Sequence, residues 1–308
     1  MAMTHPKIVV VGSFNADLVM YVNRLPAPGE TIAGQRFTTG PGGKGSNQAV
    51  AAARLDGDVT FIGRVGIDSF ANIGFELWQK EAVKSDYVSR DPVNATGIAS
   101  IAVEESGENI IMVALGANLA VTQADIDAAA TVIAGADVLI AQLETNLDAV
   151  QYALETAKQA GVTTILNPAP AAALPAELLA LADYLTPNET ELQTLTGNQG
   201  LSVPDAARSL LTSDSQTVVV TLGAKGAAWF QKDADGSSSA YQVKVVDAVG
   251  AGDAFNAGLA IALAQGLKLP EALAFAGGAA AVSVTRPGAA ASMPYRNEVD
   301  ELLARSRR

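Results

Sequence analysis

The chain has no cysteine, so disulfides, thiolate metal sites and thiol nucleophiles are all excluded. Histidine is nearly missing too: the only one, His5, lies ahead of the first expected strand. Without imidazole, a general base has to be a carboxylate, or less often Lys or Tyr. Positive charge is also scarce, with 20 Lys and Arg against 32 Asp and Glu and a net charge of −12. That balance argues against nucleic acid or an anionic membrane surface as partner. It still admits a small phosphorylated ligand, served by local N–H groups, a few cations and a metal ion. No apolar run approaches membrane-spanning length, and no charged-then-apolar leader opens the sequence, so a soluble cytoplasmic protein is expected.

What is present is the composition of a globular chain, 49% hydrophobic and 17% charged over 308 residues, long enough for a substantial core. Residues 7–12, 59–64, 137–142, 163–167, 184–187, 216–222 and 241–246 read as strands. Residues 49–55, 147–160, 177–182, 254–264 and 276–282 read as helices. Strands alternating with helices predict a mostly parallel sheet covered on both faces, in one α/β domain spanning 1–308. Two β excursions, at about 16–40 and 96–115, interrupt the alternation; the second carries a hairpin signal with a turn at 105–108. They suggest a small lid over the site, with an edge able to pair with another subunit.

The stretch 246–256 is where chemistry is expected. Gly250, Ala251 and Gly252 turn into a helix of small residues, and such a turn directs free N–H groups and the positive end of the helix dipole outward. Asp253 sits in the same turn. It serves there either as an N-cap or as a catalytic base, and the lack of other bases favours the second role. Asn15 and Asp17 follow the first strand, where they form a turn or hold hydroxyl groups. Residues 40–48 satisfy G-x-G-x-x-G, yet strand 59–64 ends in Gly-Arg where a dinucleotide site wants an acid, and Gly45 after Lys44 breaks the phosphate-loop pattern. The glycines instead suggest close backbone approach to a ligand, with Lys44 and Asn47 as donors, or a purely structural turn. Glu144, Asn167, Asn188, Glu191 and Thr221 recur just after strand ends, and together they outline a crevice along one sheet edge.

With these residues in view, the chain resembles the ribokinase-type carbohydrate kinases from residue 7 to near the C-terminus. The likeness is carried by 12–17, 42–49, 166–171, 186–191 and 250–253. The resemblance implies a three-layer αβα fold with a small β-sheet lid, and phosphorylation of D-ribose at its primary 5-hydroxyl by ATP. It implies Asp253 as base and Gly250, Ala251 and Gly252 as anion hole. Asn15, Asp17, Gly43, Lys44, Asn47 and Glu144 would hold sugar hydroxyls. Asn188, Thr221, Leu222, Gly223, Ala224, Lys225, Gly226, Gly252 and Gly277 would line the ATP site, and Glu191 would help position magnesium (Mg2+) and phosphates. A potassium (K+) site is implied around Asp247, the Val249 carbonyl, Ser283, Arg286, Gly288 and Ser292, as is a homodimer through the lid. Two positions depart from the family pattern: Ala248 stands where Thr is frequent, and Gly277 where relatives carry a larger polar residue. The competing expectations are another acceptor (fructose, deoxyribose, 2-keto-3-deoxygluconate or adenosine), a non-catalytic sugar or nucleotide sensor, and a dinucleotide oxidoreductase.

Overall fold

The computed structural model describes residues 5–106 and 108–306. Thirteen strands are seen there: β1 (Lys7–Val11), β2 (Asn15–Val22), β3 (Arg36–Gly42), β4 (Asp58–Gly66), β5 (Lys84–Asp91), β6 (Gly97–Glu104), β7 (Asn109–Ala114), β8 (Val138–Ala141), β9 (Thr163–Leu166), β10 (Tyr184–Leu185), β11 (Thr217–Thr221), β12 (Ala227–Phe230) and β13 (Asp235–Ser238). Nine form one sheet in the order β13-β12-β11-β10-β9-β8-β1-β4-β5, parallel except at β12 and β13. Alternate side chains of β1 enter opposite layers. Ile8 and Val10 pack with helices Lys44–Arg54, Ala251–Ala264 and Leu269–Ser283, while Val9 and Val11 pack with helix Leu147–Gln159 and its neighbours. The three-layer α/β expectation therefore holds.

The two β excursions come together as a separate four-stranded sheet, β3-β2-β6-β7. Asn15 pairs with Gly42 on one side and Gly97 on the other, so the small sheet is rooted where the large one ends. Residue 107, in the expected hairpin turn, and residues 307–308 lie outside the described residues. No helix among the described residues is long and apolar enough to cross a membrane.

Several sequence expectations need correction. Residues 241–246 form no strand. Their apolar members Tyr241, Val243 and Val245 instead line a cavity, with Gln242 beside them. The helix expected at 49–55 starts at Lys44, because Gly43 (φ 88°) makes the turn in a single residue. The helix expected at 177–182 is the single turn Ala176–Leu179. The helix expected at 254–264 starts at Ala251, with Gly250 (φ 80°) as its cap. Asp253 therefore occupies the third helical position and is not the cap.

Candidate active site

Asp253 is buried at the start of helix Ala251–Ala264, and both its oxygens accept amide hydrogens from helix Lys44–Arg54. Asn47 Nδ2 donates to Oδ2 at 2.9 Å and Gln48 Nε2 to Oδ1 at 3.0 Å. Burial pushes the Asp253 carboxyl above the usual carboxylate range, with Glu144 adding to the rise, while the Lys44 cation and the two amides oppose it. Asn47 Oδ1 is buried with no partner among the described residues, leaving an acceptor for a ligand hydroxyl beside the carboxylate.

Asn15 and Asp17 lie two apart on β2, so they share one face of the small sheet, and neither forms a turn. Glu144, just past β8, accepts from Ser13 Oγ at 2.6 Å, Asn15 Nδ2 at 3.4 Å and the Lys44 backbone N–H at 3.1 Å. Burial, with Glu144 nearby, lifts Asp17 to about 7. Lys44 loses solvation by burial, yet Asp253, Glu144 and Glu191 more than offset this and raise its pKa. One cation thus faces carboxylates from three separate elements. Gly43 packs so closely that a Cβ there would lie 2.6 Å from the Asn15 backbone nitrogen.

On the other side of Asp253 is a cavity of about 510 Å³ whose lining includes Thr221, Gly223, Ala224, Gly226, Gly252 and Gly277. Tyr241, Val243, Phe255 and Leu273 supply apolar walls, and Ala248 lies at its edge. Gly252 and Asp253 are in the first helical turn, where no earlier carbonyl of the helix accepts their N–H groups. The Ala251 N–H donates to the Ala248 carbonyl at 3.3 Å. A cluster of amides, carboxylates and one cation, a buried carboxylate and an anion-seeking helix start thus meet beside a nucleotide-sized, mostly apolar chamber.

A model of the pfkB family of carbohydrate kinases matches residues 5–296. The chain belongs to this family. It is 41% identical over 299 residues to a ribokinase from Haemophilus influenzae, covering 96% of this chain and 98% of that one. It is 37% identical over 301 residues to a deoxyribokinase from Salmonella typhi, covering 96% and 98%. A solved Arabidopsis thaliana ribokinase, complexed with ribose and ATP, superposes with a TM-score of 0.89 at 35% identity, covering 97% of this chain and 99% of that one.

Not every expected nucleotide residue of this kinase reaches the cavity wall. Leu222 packs against the core, and Lys225 lies on an exposed turn. Asn188 and Glu191 form a reciprocal capping box, each side chain accepting the other's backbone N–H at 2.8 Å, and Asn188 bridges to Thr221. Burial chiefly raises the Glu191 pKa. The two loops of the expected potassium set are joined, since Val246 and Asp247 donate to the Val284 carbonyl at 2.8 and 3.3 Å. The Asp247 carboxylate accepts from Val249 at 3.0 Å and from Gly288 at 2.9 Å. The Arg286 guanidinium turns to Glu298 at 2.7 and 2.8 Å and to the Ser292 carbonyl at 3.2 Å.

Sequence reasoning missed Asn118, which is fully buried and donates to Asn15 Oδ1 at 2.9 Å. It sits in a short turn after β7 with no motif around it, so no local signal marked it. Gln48 and Gln142 were missed as well; Gln48 lies inside a recognised motif, next to a residue singled out as a donor.

Proposed function

We propose that this chain transfers the γ-phosphoryl group of ATP to the 5-hydroxyl of D-ribose, giving D-ribose 5-phosphate and ADP. The observation that carries this reading is the position of Asp253. Its oxygens meet the Asn47 and Lys44 side of the site, while its neighbour Gly252 faces the large cavity. Ribose would lie against Asn15, Asp17, Gly43, Lys44, Asn47 and Glu144. ATP would fill the cavity by Thr221, Gly223, Ala224, Gly226 and Gly277, with Asn188 and Glu191 at its phosphate end.

The sugar oxygen attacks the γ-phosphorus, forming the new O–P bond as the bond to the bridging β–γ oxygen breaks and ADP leaves. The hydroxyl proton passes to Asp253, whose upward-shifted pKa suits it to receive a proton late in the step. The transition state is largely dissociative, so positioning and charge stabilisation dominate. The first-turn N–H groups after Gly250 stabilise the γ-phosphoryl oxygens, each well-placed donor contributing about 3 kcal/mol. Glu191, at the phosphate end of the cavity, would help hold a magnesium ion brought in with ATP. Magnesium would neutralise phosphate charge.

For potassium, the donor set is of the right kind: the Asp247 carboxylate and the carbonyls of Val249, Ser283, Arg286 and Gly288, all hard oxygens. Ser292 would offer its hydroxyl, because its carbonyl already accepts from Arg286. The small sheet would act as a lid, and the exposed apolar side chains on both faces of β7, Ile111 at 50% and Met112 at 62%, support a homodimer through that sheet.

The test is an ADP-release assay with D-ribose, 2-deoxyribose, fructose and adenosine, with the phosphate located on the product by NMR. D-ribose is expected to have the highest kcat/KM, with phosphate on the 5-oxygen. ADP release independent of sugar, or a better acceptor among the other three, overturns the reading. The likeness to a deoxyribokinase makes 2-deoxyribose the specific rival.

A further inference from the structure

Behind Asp253 lies a row of buried amides that sugar and nucleotide contacts leave unexplained. Gln142, at the end of β8, donates from Nε2 to Gln48 Oε1 at 2.6 Å. Gln48 then donates from Nε2 to Asp253 Oδ1 at 3.0 Å and to Asn167 Oδ1 at 3.2 Å. Both glutamines are fully buried. The direction of this relay is set at Asp253. Because a carboxylate only accepts, the Gln48 end facing it has to be the nitrogen, which turns the Gln48 oxygen to the Gln142 N–H. Gln142 Oε1 is left buried and unpartnered among the described residues, against Gly12, where any Cβ would collide with it at 2.0 Å. Two sheet strands and a helix thus converge to aim one amide hydrogen at one carboxylate oxygen.

We propose that Gln48 is the positioning residue for Asp253, and that Gln142 holds the far end of Gln48 in place by donating to its oxygen. The proposal rests on Asp253 acting as the base. Asn47 holds Oδ2 and Gln48 holds Oδ1, so the carboxylate cannot rotate, and its remaining lone pairs are presented to the incoming hydroxyl. The charged groups around Asp253 are Lys44 on the same helix as Gln48, Glu144 beyond β8 and Glu191 on helix Glu189–Thr196. None of these replaces the lost N–H when Gln48 is changed.

Steady-state kinetics with D-ribose and ATP on the full chain would test this, with Asp253→Asn measured alongside. Gln48→Met keeps the length and removes the N–H. It is expected to lower kcat by about 10- to 100-fold while the KM for ribose changes by less than about three-fold. Gln48→Glu is nearly isosteric but places an acceptor against the carboxylate, so it is expected to be worse than Gln48→Met. A residue needed only for packing would give the reverse order. Gln142→Met removes the N–H that meets Gln48 Oε1 together with an Oε1 that has no partner, and is expected to lower kcat by roughly three- to ten-fold. If Gln48→Met is unstable, Gln142→Met and the ordering of folded variants still decide the matter. Full kcat in Gln48→Met or Gln142→Met, with Asp253→Asn inactive, overturns the positioning role alone. An active Asp253→Asn overturns the base assignment beneath it.

Discussion

Asn118 reaches across 103 residues to hold Asn15, donating from Nδ2 to Asn15 Oδ1 at 2.9 Å. The same side chain brackets Phe14, accepting its N–H and donating to its carbonyl, both at 2.9 Å. Asn118 thus sets the bend where the chain leaves the large sheet and enters the small one.

Replacing Asn118 by Ala strands buried groups on Phe14 and Asn15. The expected cost is about 2–4 kcal/mol of stability, read by denaturant unfolding. The KM for ribose is expected to rise about ten-fold through misplacement of Asn15, with ATP affinity unchanged. An unaltered ribose KM would separate Asn118 from the sugar site.

Asp253→Asn removes the proton acceptor but keeps the shape. A fall in kcat of about 10²- to 10⁴-fold is expected, with the ATP Kd by calorimetry close to that of the parent. A parental turnover rate would refute the base assignment.

Asp17 carries a pH signature. Its folded pKa, about 7, lies above the unfolded value, so between pH 4 and 7 the folded state holds a proton that the unfolded chain has released. Stability therefore falls as pH rises through this window and levels off above it. Asp17→Asn lacks this penalty. Its Tm relative to the parent is expected to climb from pH 4 to 7 and then stay constant. Below pH 7 the parent's kcat/KM for ribose is also expected to fall as the carboxylate is lost, a limb missing from the much weaker Asp17→Asn. A Tm difference independent of pH would contradict the titration.

Gly43→Ala combines a left-handed backbone (φ 88°) with a Cβ 2.6 Å from the Asn15 nitrogen. A loss of at least about 2 kcal/mol and near-complete loss of ribose binding are expected, measured by unfolding and calorimetry. Gly29, whose φ is also positive but whose Cβ would meet nothing, is the control and should tolerate Ala far better.

Ile111→Glu places a charge on an exposed face of β7 without disturbing either core. If that face joins two copies, light scattering is expected to show a dimer for the parent and a monomer for the variant at micromolar concentration. A monomeric parent would remove the dimer proposal.

Much of the architecture was legible before any coordinates, because buried parallel strands are continuous apolar runs and leave their polar residues at one end. That regularity located Asp17, Glu144, Asn188 and Thr221, and the lack of cysteine and usable histidine pointed to Asp253 as the base. It failed at residues 241–246, whose apolar members line a cavity instead of joining a sheet. It also placed Asp253 ambiguously, since a cap and a base look alike until Gly250 is seen to be the cap. Only the tertiary structure brought Asn118 to Asn15, and Gln142 and Gln48 behind Asp253. Hydrogen bonds between residues 94 to 205 positions apart leave no periodic trace in the chain, because their partners become neighbours only when the strands align. The sequence alone thus specified which polar groups follow the strand ends, while folding decided which of them touch and in what direction each amide points.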